Sequence, residues 1–124
     1  QEFKSLPPDT TIFEKIVYAP MFQARYAIEK GLNYTTQIYK QQIDTENAFF
    51  ASVTRAFITF IREAIQEGQD QGLIRTDMTA DELSKLVVSY SRGITYDWCL
   101  QDGNYDLVDR MDKAMRMMVH SFMI

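Results

Sequence analysis

Apolar residues along this chain return at intervals of three and four, broken at a few points by Pro, Gly and short polar runs. Pro7-Pro8-Asp9 stops any helix running through it, and Asp9, Thr10 or Thr11 can cap the helix that follows. From Ile12 the residues Phe13, Ile16, Val17, Phe22 and Tyr26 keep mostly helical spacing, and Pro20 predicts a kink or a boundary between two short helices. Gly31 ends that run, and a short segment over 33–43 carries Tyr34, Ile38 and Tyr39 on one side. Asp44 or Thr45 is the expected N-cap of the next helix. Its stripe of Phe49, Phe50, Val53, Phe57, Phe60, Ile61 and Ala64, widened by Ile58 and Ile65, predicts the central helix of a bundle. Gly72 is placed to close it as a left-handed residue.

The sharpest local signal is Thr79-Ala80-Asp81-Glu82, a capping box in which Thr79 and Glu82 each accept from a free backbone N–H of the first turn. The helix it opens should run to about Gln101, ~35 Å at the helical rise. Gly103 closes it, and Asn104 or Asp106 caps a last helix reaching nearly to Ile124. No β-hairpin signature and no internal repeat appears. The pattern predicts an all-α fold, an antiparallel bundle of about five to six helices, with one domain over 12–124.

The helix after Thr79 has two apolar faces. Leu83, Leu86, Val87, Tyr90, Ile94 and Trp98 form the one expected to meet the core. The other is small or β-branched, made of Ser84, Val88, Ser91, Thr95 and Cys99, where a solvent-facing surface would hold Lys and Glu. In the last helix Leu107, Met111, Ala114, Met118 and Phe122 lie along one side, with Val108, Met115 and Val119 beside them and Met117 and Met123 further round. Methionine suits surfaces that bury against another chain. The alternative is a helix buried deeply in its own bundle, which a domain of this size rarely provides on nearly all sides. The expected seam therefore comprises Ser84, Val88, Ser91, Thr95, Cys99, Val108, Met111, Met115, Met118 and Phe122. Two such pairs of helices would bury about 1,200–2,000 Å² or more.

Composition narrows the function. The 124 residues suit one compact domain, and a net charge of −4 with basic residues scattered singly among acids argues against direct DNA contact. No apolar run approaches the ~20 residues of a membrane span, and the polar opening Gln1-Glu2-Phe3-Lys4-Ser5 does not read as a signal peptide. Cys99 stands alone, so no intrachain disulfide or CxxC metal site is expected, and a reducing cytoplasm is the natural compartment. His120 is the one histidine, and Glu63, Glu67 and Asp70 read as a solvated acidic face. There is no GxGxxG, GxxxxGK[ST] or GxSxG. Neither enzyme chemistry, a cofactor nor a metal is expected.

Aromatic residues make up 13% of the chain, including Tyr26, Tyr34, Tyr39, Phe49, Phe57, Tyr90, Tyr96 and Trp98. Converging tyrosines can line a cavity for a mostly apolar guest, and the same residues can equally form a packed aromatic core. The candidate pocket comprises Phe22, Tyr26, Tyr34, Phe49, Val53, Phe57, Tyr90, Ile94 and Trp98.

The stretch from Ile61-Arg62-Glu63-Ala64-Ile65-Gln66-Glu67-Gly68 through Gln69-Asp70-Gln71-Gly72-Leu73-Ile74-Arg75-Thr76-Asp77 resembles the helix end and connector of tetracycline-repressor (TetR) family regulators. So do Thr79-Ala80-Asp81-Glu82-Leu83, the segment Arg92-Gly93-Ile94-Thr95-Tyr96-Asp97-Trp98-Cys99-Leu100, and Gly103. The similarity is good over residues 45–124 and loose before them. It implies the regulatory part of a bacterial transcription factor: a helical domain that binds a small apolar or aromatic effector and homodimerises through its last two helices. In such regulators a separate N-terminal helix-turn-helix reads operator DNA, and a ligand releases a repressor by population shift. No helix-turn-helix precedes Pro7-Pro8, so residues 1–11 read as the remnant of the connection to one. The competing readings are a free-standing helical module that binds a partner helix, and a cofactor-free enzyme with a hydrophobic pocket.

Overall fold

A computed structural model describes the backbone of residues 6–44 and 48–124, and the side chains of these except over 42–54. Five helices follow in order: α1 (Ile12–Lys30), α2 (Leu32–Asp44), α3 (Ala48–Asp70), α4 (Ala80–Leu100) and α5 (Leu107–His120). Among the described residues the one β feature is an isolated antiparallel bridge between Ile74 and Met123. The fold is all-α, and no described helix is long and apolar enough to cross a membrane.

Thr11 caps α1 by accepting from the Glu14 N–H at 3.1 Å. The helix continues through Pro20 without dividing, although Pro lacks the N–H that would serve the Ile16 carbonyl. Gly31, at φ 98°, turns the chain into α2 in a conformation that L side chains rarely adopt. The central helix is α1, which packs against all four others, and not α3 as the aromatic stripe suggests. Ala19, Ala24 and Ala27 are buried on it beside Ile16 and Val17, and short side chains let several neighbours approach at once. The expected cap at Asp44 or Thr45 and the apolar positions Phe49, Phe50 and Val53 fall outside the described residues and side chains.

The capping box at α4 forms in full: Glu82 N–H donates to Thr79 Oγ1 at 3.0 Å, and Thr79 N–H donates to Glu82 Oε1 at 2.9 Å. What the periodicity misplaces is the rotation of the helix. Leu83, Val87 and Trp98 are buried as expected, but Leu86 and Tyr90 are exposed and Ile94 is half-buried. Ser84, Val88, Ser91 and Thr95 turn into the core instead, Ser91 at 2% exposure. Their hydroxyls cost no unpaired donor, because each bonds its own helix: Ser84 to the Asp81 carbonyl, Ser91 to that of Val88, and Thr95 to that of Ser91, at 2.8, 2.8 and 3.1 Å. Size decided the expectation and proximity decides the structure, since α4 packs on both α1 and α3.

In α5 the correction has the same form. Met111, Met115 and Phe122, expected at a seam between copies, are buried within the chain with Leu107 and Val119. Asp106 caps this helix by accepting from the Asp109 N–H at 3.0 Å. The bidentate Arg116–Glu14 pair, at 2.8 and 3.2 Å, ties α5 to α1 on the surface.

The connector after α3 is clamped from two sides. Gln69 Nε2 donates to the carbonyls of Arg75 and Met78, both at 2.9 Å. The C-terminal tail pairs with it through Arg75 N–H to the Phe122 carbonyl and Ile124 N–H to the Leu73 carbonyl, both 2.9 Å. This seats Ile74 with no exposed surface against Gly68, where an added Cβ would stand 2.5 Å from Ile74 Cδ1. Gly68→Ala should therefore destabilise the chain by about 1 kcal/mol, overpacking outweighing the gain in helix propensity. In an Ile74→Ala background, itself about 2–5 kcal/mol less stable, the same Gly68→Ala change should be neutral or stabilising. A urea double-mutant cycle measures the reversal, and additive effects would show that the two groups do not press on each other.

Candidate functional site

The candidate pocket residues separate into four places. Phe22 and Phe57 come together between α1 and α3, ring centroids 6.3 Å apart and tilted 43°, with Tyr18 continuing the row at 6.3 Å from Phe22. Beside them lies a void of about 20 Å³, room for one water, walled by Pro20, Gln23, Phe57, Ile61, Val88, Ser91 and Arg92. Tyr26 and Tyr34 instead form an exposed pair with the Lys30 ammonium 5.5 and 5.9 Å from their rings. The neighbouring Tyr34 phenol raises the Tyr26 pKa. They flank the α1–α2 turn and line no described cavity. Phe49 and Val53 lie outside the described side chains.

Tyr90 and Ile94 sit on the outer side of α4, along an open groove of about 340 Å³ that they share with Ser89, Gly93, Asp97, Tyr105 and Arg110. Trp98 is a buried structural lock. Its indole N–H donates to the Tyr105 carbonyl at 3.0 Å, and the Tyr105 hydroxyl donates to Asp97 Oδ2 at 2.9 Å and lies 3.2 Å from the Ile94 carbonyl. The Arg110 guanidinium stacks 3.8 Å above the Tyr105 ring. The turn between α4 and α5 is thus bound to both helices.

The polar group that stands out is Tyr39, on α2. Its ring is 6.4 Å from that of Tyr96, and its hydroxyl is the one buried side-chain oxygen or nitrogen among the described residues with no hydrogen-bond partner. Burial raises its pKa, while Thr95 and Arg92 on α4 act in the opposite sense. Thr95 lies near enough to influence the phenol, yet no atom meets Tyr39 Oη in hydrogen-bond geometry. Periodicity places Tyr39 among the aromatic residues but does not single it out, and it misses Arg92 and Gln23 altogether. The available signal was Arg92, a charged residue one turn before Thr95 on the small-residue side of α4.

A depression of about 450 Å³ lies between residues 6–11, α1 and α5. Of its charged walls, Arg116 is already engaged with Glu14 and Asp112. Among the described residues no group of three or more His, Cys, Asp or Glu could hold a metal ion. Cys99 is a free, half-buried thiol and His120 is exposed on the last turn of α5.

The family described as the C-terminal region of YsiA-like proteins, a TetR-type domain, matches residues 10–121. No curated protein and no solved structure matches the chain significantly.

The turn makes a pH prediction. Burial first, and then the hydrogen bond to Asp97, push the Tyr105 phenol from 10.0 up to about 12. Below pH 10 it is neutral in folded and unfolded chains alike, so its stabilisation is fully present. It is lost as pH rises from 10 to about 12, where the unfolded phenol ionises first. Urea midpoints should fall less steeply over that window in Tyr105→Phe, whose stability at neutral pH should be about 1 kcal/mol lower. An unchanged slope would show that the phenol does not sense the fold.

Proposed function

The chain belongs to the YsiA-like C-terminal regions of TetR-type regulators, and from that premise we propose that it pairs with a second copy through the outer side of α4 and α5 while holding a small effector among its helices. The observation that carries the pairing is the outward apolar strip of α4. Leu86 is 45% exposed and Tyr90 36%, with exposed Gly93 one turn beyond Tyr90 and half-buried Ile94 alongside. Arg110 borders the same groove on α5, and Ala114, Met117 and Met118 continue that side at helical spacing, Met117 being 66% exposed. A patch of this kind is self-complementary across a two-fold axis, with Asp97, Tyr105 and Arg110 as its polar part. Of the seam expected from sequence, Met118, Cys99 and Val108 keep partly exposed surface, and the remainder is used up inside the chain.

The regulatory scheme follows from linkage. An effector that prefers one arrangement of α1 to α4 shifts the pair toward it, and DNA-reading heads joined to each copy then lose or gain their half-site spacing. Operator DNA must weaken effector binding by the same factor that the effector weakens DNA binding. The best-supported role is a repressor of a bacterial cytoplasm released by an apolar or aromatic compound, one domain spanning residues 12–124 and contacting DNA only through a separate N-terminal domain.

Light scattering tests the pairing. The wild-type chain should be a dimer at micromolar concentration, and Leu86→Lys should give a folded monomer with unchanged circular dichroism. Ser91→Lys should lose the fold instead, since Ser91 is buried. A wild-type monomer, or a Leu86→Lys dimer as tight as wild type, would refute this face.

A further inference from the structure

The glycines of this chain divide by what keeps them glycine. Gly31, Gly72 and Gly103 stand at positive φ, where L side chains are rarely found, and Gly68 leaves the space that Ile74 fills. Gly93 has neither reason. It lies inside α4 without a positive φ, and a Cβ added to it would meet nothing within 4 Å. Glycine weakens a helix interior relative to alanine, and nothing in the described chain answers for that cost.

The exposed side chains of α4 are arranged about this residue. Its exposed large apolar residues are Leu86, Tyr90, Tyr96 and Leu100, which stand seven and three residues before Gly93 and three and seven after it. Around the helix the leucines fall within about 20° of Gly93, and the tyrosines about 60° to either side. The outward side of α4 therefore has a bare backbone at its centre and apolar walls at equal distances, in an order that reads the same from either end. The nearby charges are complementary too. Asp97 and Arg110 share the groove beside Gly93, and neither has an ion-pair partner among the described residues.

We infer that Gly93 is the point at which α4 of one copy crosses α4 of a second, backbone against backbone, on the two-fold axis of the pair. This deepens the pairing reading above and rests on it. Whichever way the two helices run, an axis at Gly93 sets each exposed leucine level with a leucine of the partner and each tyrosine level with a tyrosine. It also presents Asp97 and Arg110 to a surface that carries both signs of charge. With no side chain at the crossing, the helix axes can come closer than the ~8–10 Å of ordinary pairs. The four apolar walls then close around the contact and exclude water. A palindromic pattern is what a twin surface requires, and an unrelated partner has no use for it. The seam accordingly extends past the Leu86–Tyr90 strip to Tyr96 and Leu100.

Sedimentation equilibrium on the 124-residue chain tests the crossing, with Leu86→Lys as the monomeric reference. Gly93→Ala should weaken the dimer about tenfold, and Gly93→Leu should leave folded monomers at micromolar concentration. Leu100→Lys should separate the copies as Leu86→Lys does. In the Leu86→Lys background, Gly93→Ala should instead raise the Tm by about 4 °C, because only helix propensity then acts. A Gly93→Leu dimer as tight as wild type overturns the crossing, and if Leu86→Lys still separates the copies, the pairing face stands without it. A Gly93→Ala monomer that melts lower shows that the glycine serves the chain's own fold, which also overturns the inference. A wild-type monomer removes the pairing reading and the crossing with it.

Discussion

The rotational setting of α4 governs both surfaces of this domain. The capping box fixes the helix at Thr79, and the hydrogen bond from Trp98 to the Tyr105 carbonyl fixes it at the other end. Between these points Leu83, Ser84, Val87, Val88, Ser91 and Thr95 are all inward. A helix held so leaves no choice about what lies opposite. Leu86, Tyr90 and Gly93 face out, and Arg92, Thr95 and Cys99 run along the edge that meets α2. A rotation of about 100°, one residue's step, would exchange a buried serine for an exposed leucine.

The remaining elements serve that setting. At the centre, α1 reaches all four other helices because its buried side is rich in alanine. The connector before α4 is held by Gln69 and by the C-terminal tail, with Ile74 driven into the space that Gly68 leaves open. Exposed pairs such as Lys85–Asp81 and Lys113–Asp109 add little to this. The scaffold is apolar packing with a few directional bonds at its corners, and the unsatisfied Tyr39 hydroxyl stands apart from it.

Much of this was legible in the residues. The cap at Thr79 and breaks at Gly31, Gly72 and Gly103 are chemical requirements of the backbone, and of the alternatives Asp9, Thr10 or Thr11 and Asn104 or Asp106 the structure uses Thr11 and Asp106. Helical spacing also found Leu83, Val87 and Trp98. It turned Leu86 and Tyr90 toward the core and the serines toward a partner, because a wheel ranks residues by hydrophobicity while close packing between helices selects small ones. The pocket residues were scattered for a related reason. Tyr26, Tyr90 and Trp98 are alike in composition, yet one pairs with Tyr34 beside a lysine, one faces outward, and one locks a turn. Tyr39 differs from them only in what fails to reach it, which no spacing encodes.

Cysteine cross-linking with a short bismaleimide tests the setting of α4 most directly. In a Cys99→Ser background, Leu86→Cys and Tyr90→Cys should join two copies of the chain, while Ser84→Cys and Ser91→Cys should remain unreacted until the protein is unfolded. Cross-linked dimers from positions 84 and 91, with none from 86 and 90, would contradict the account.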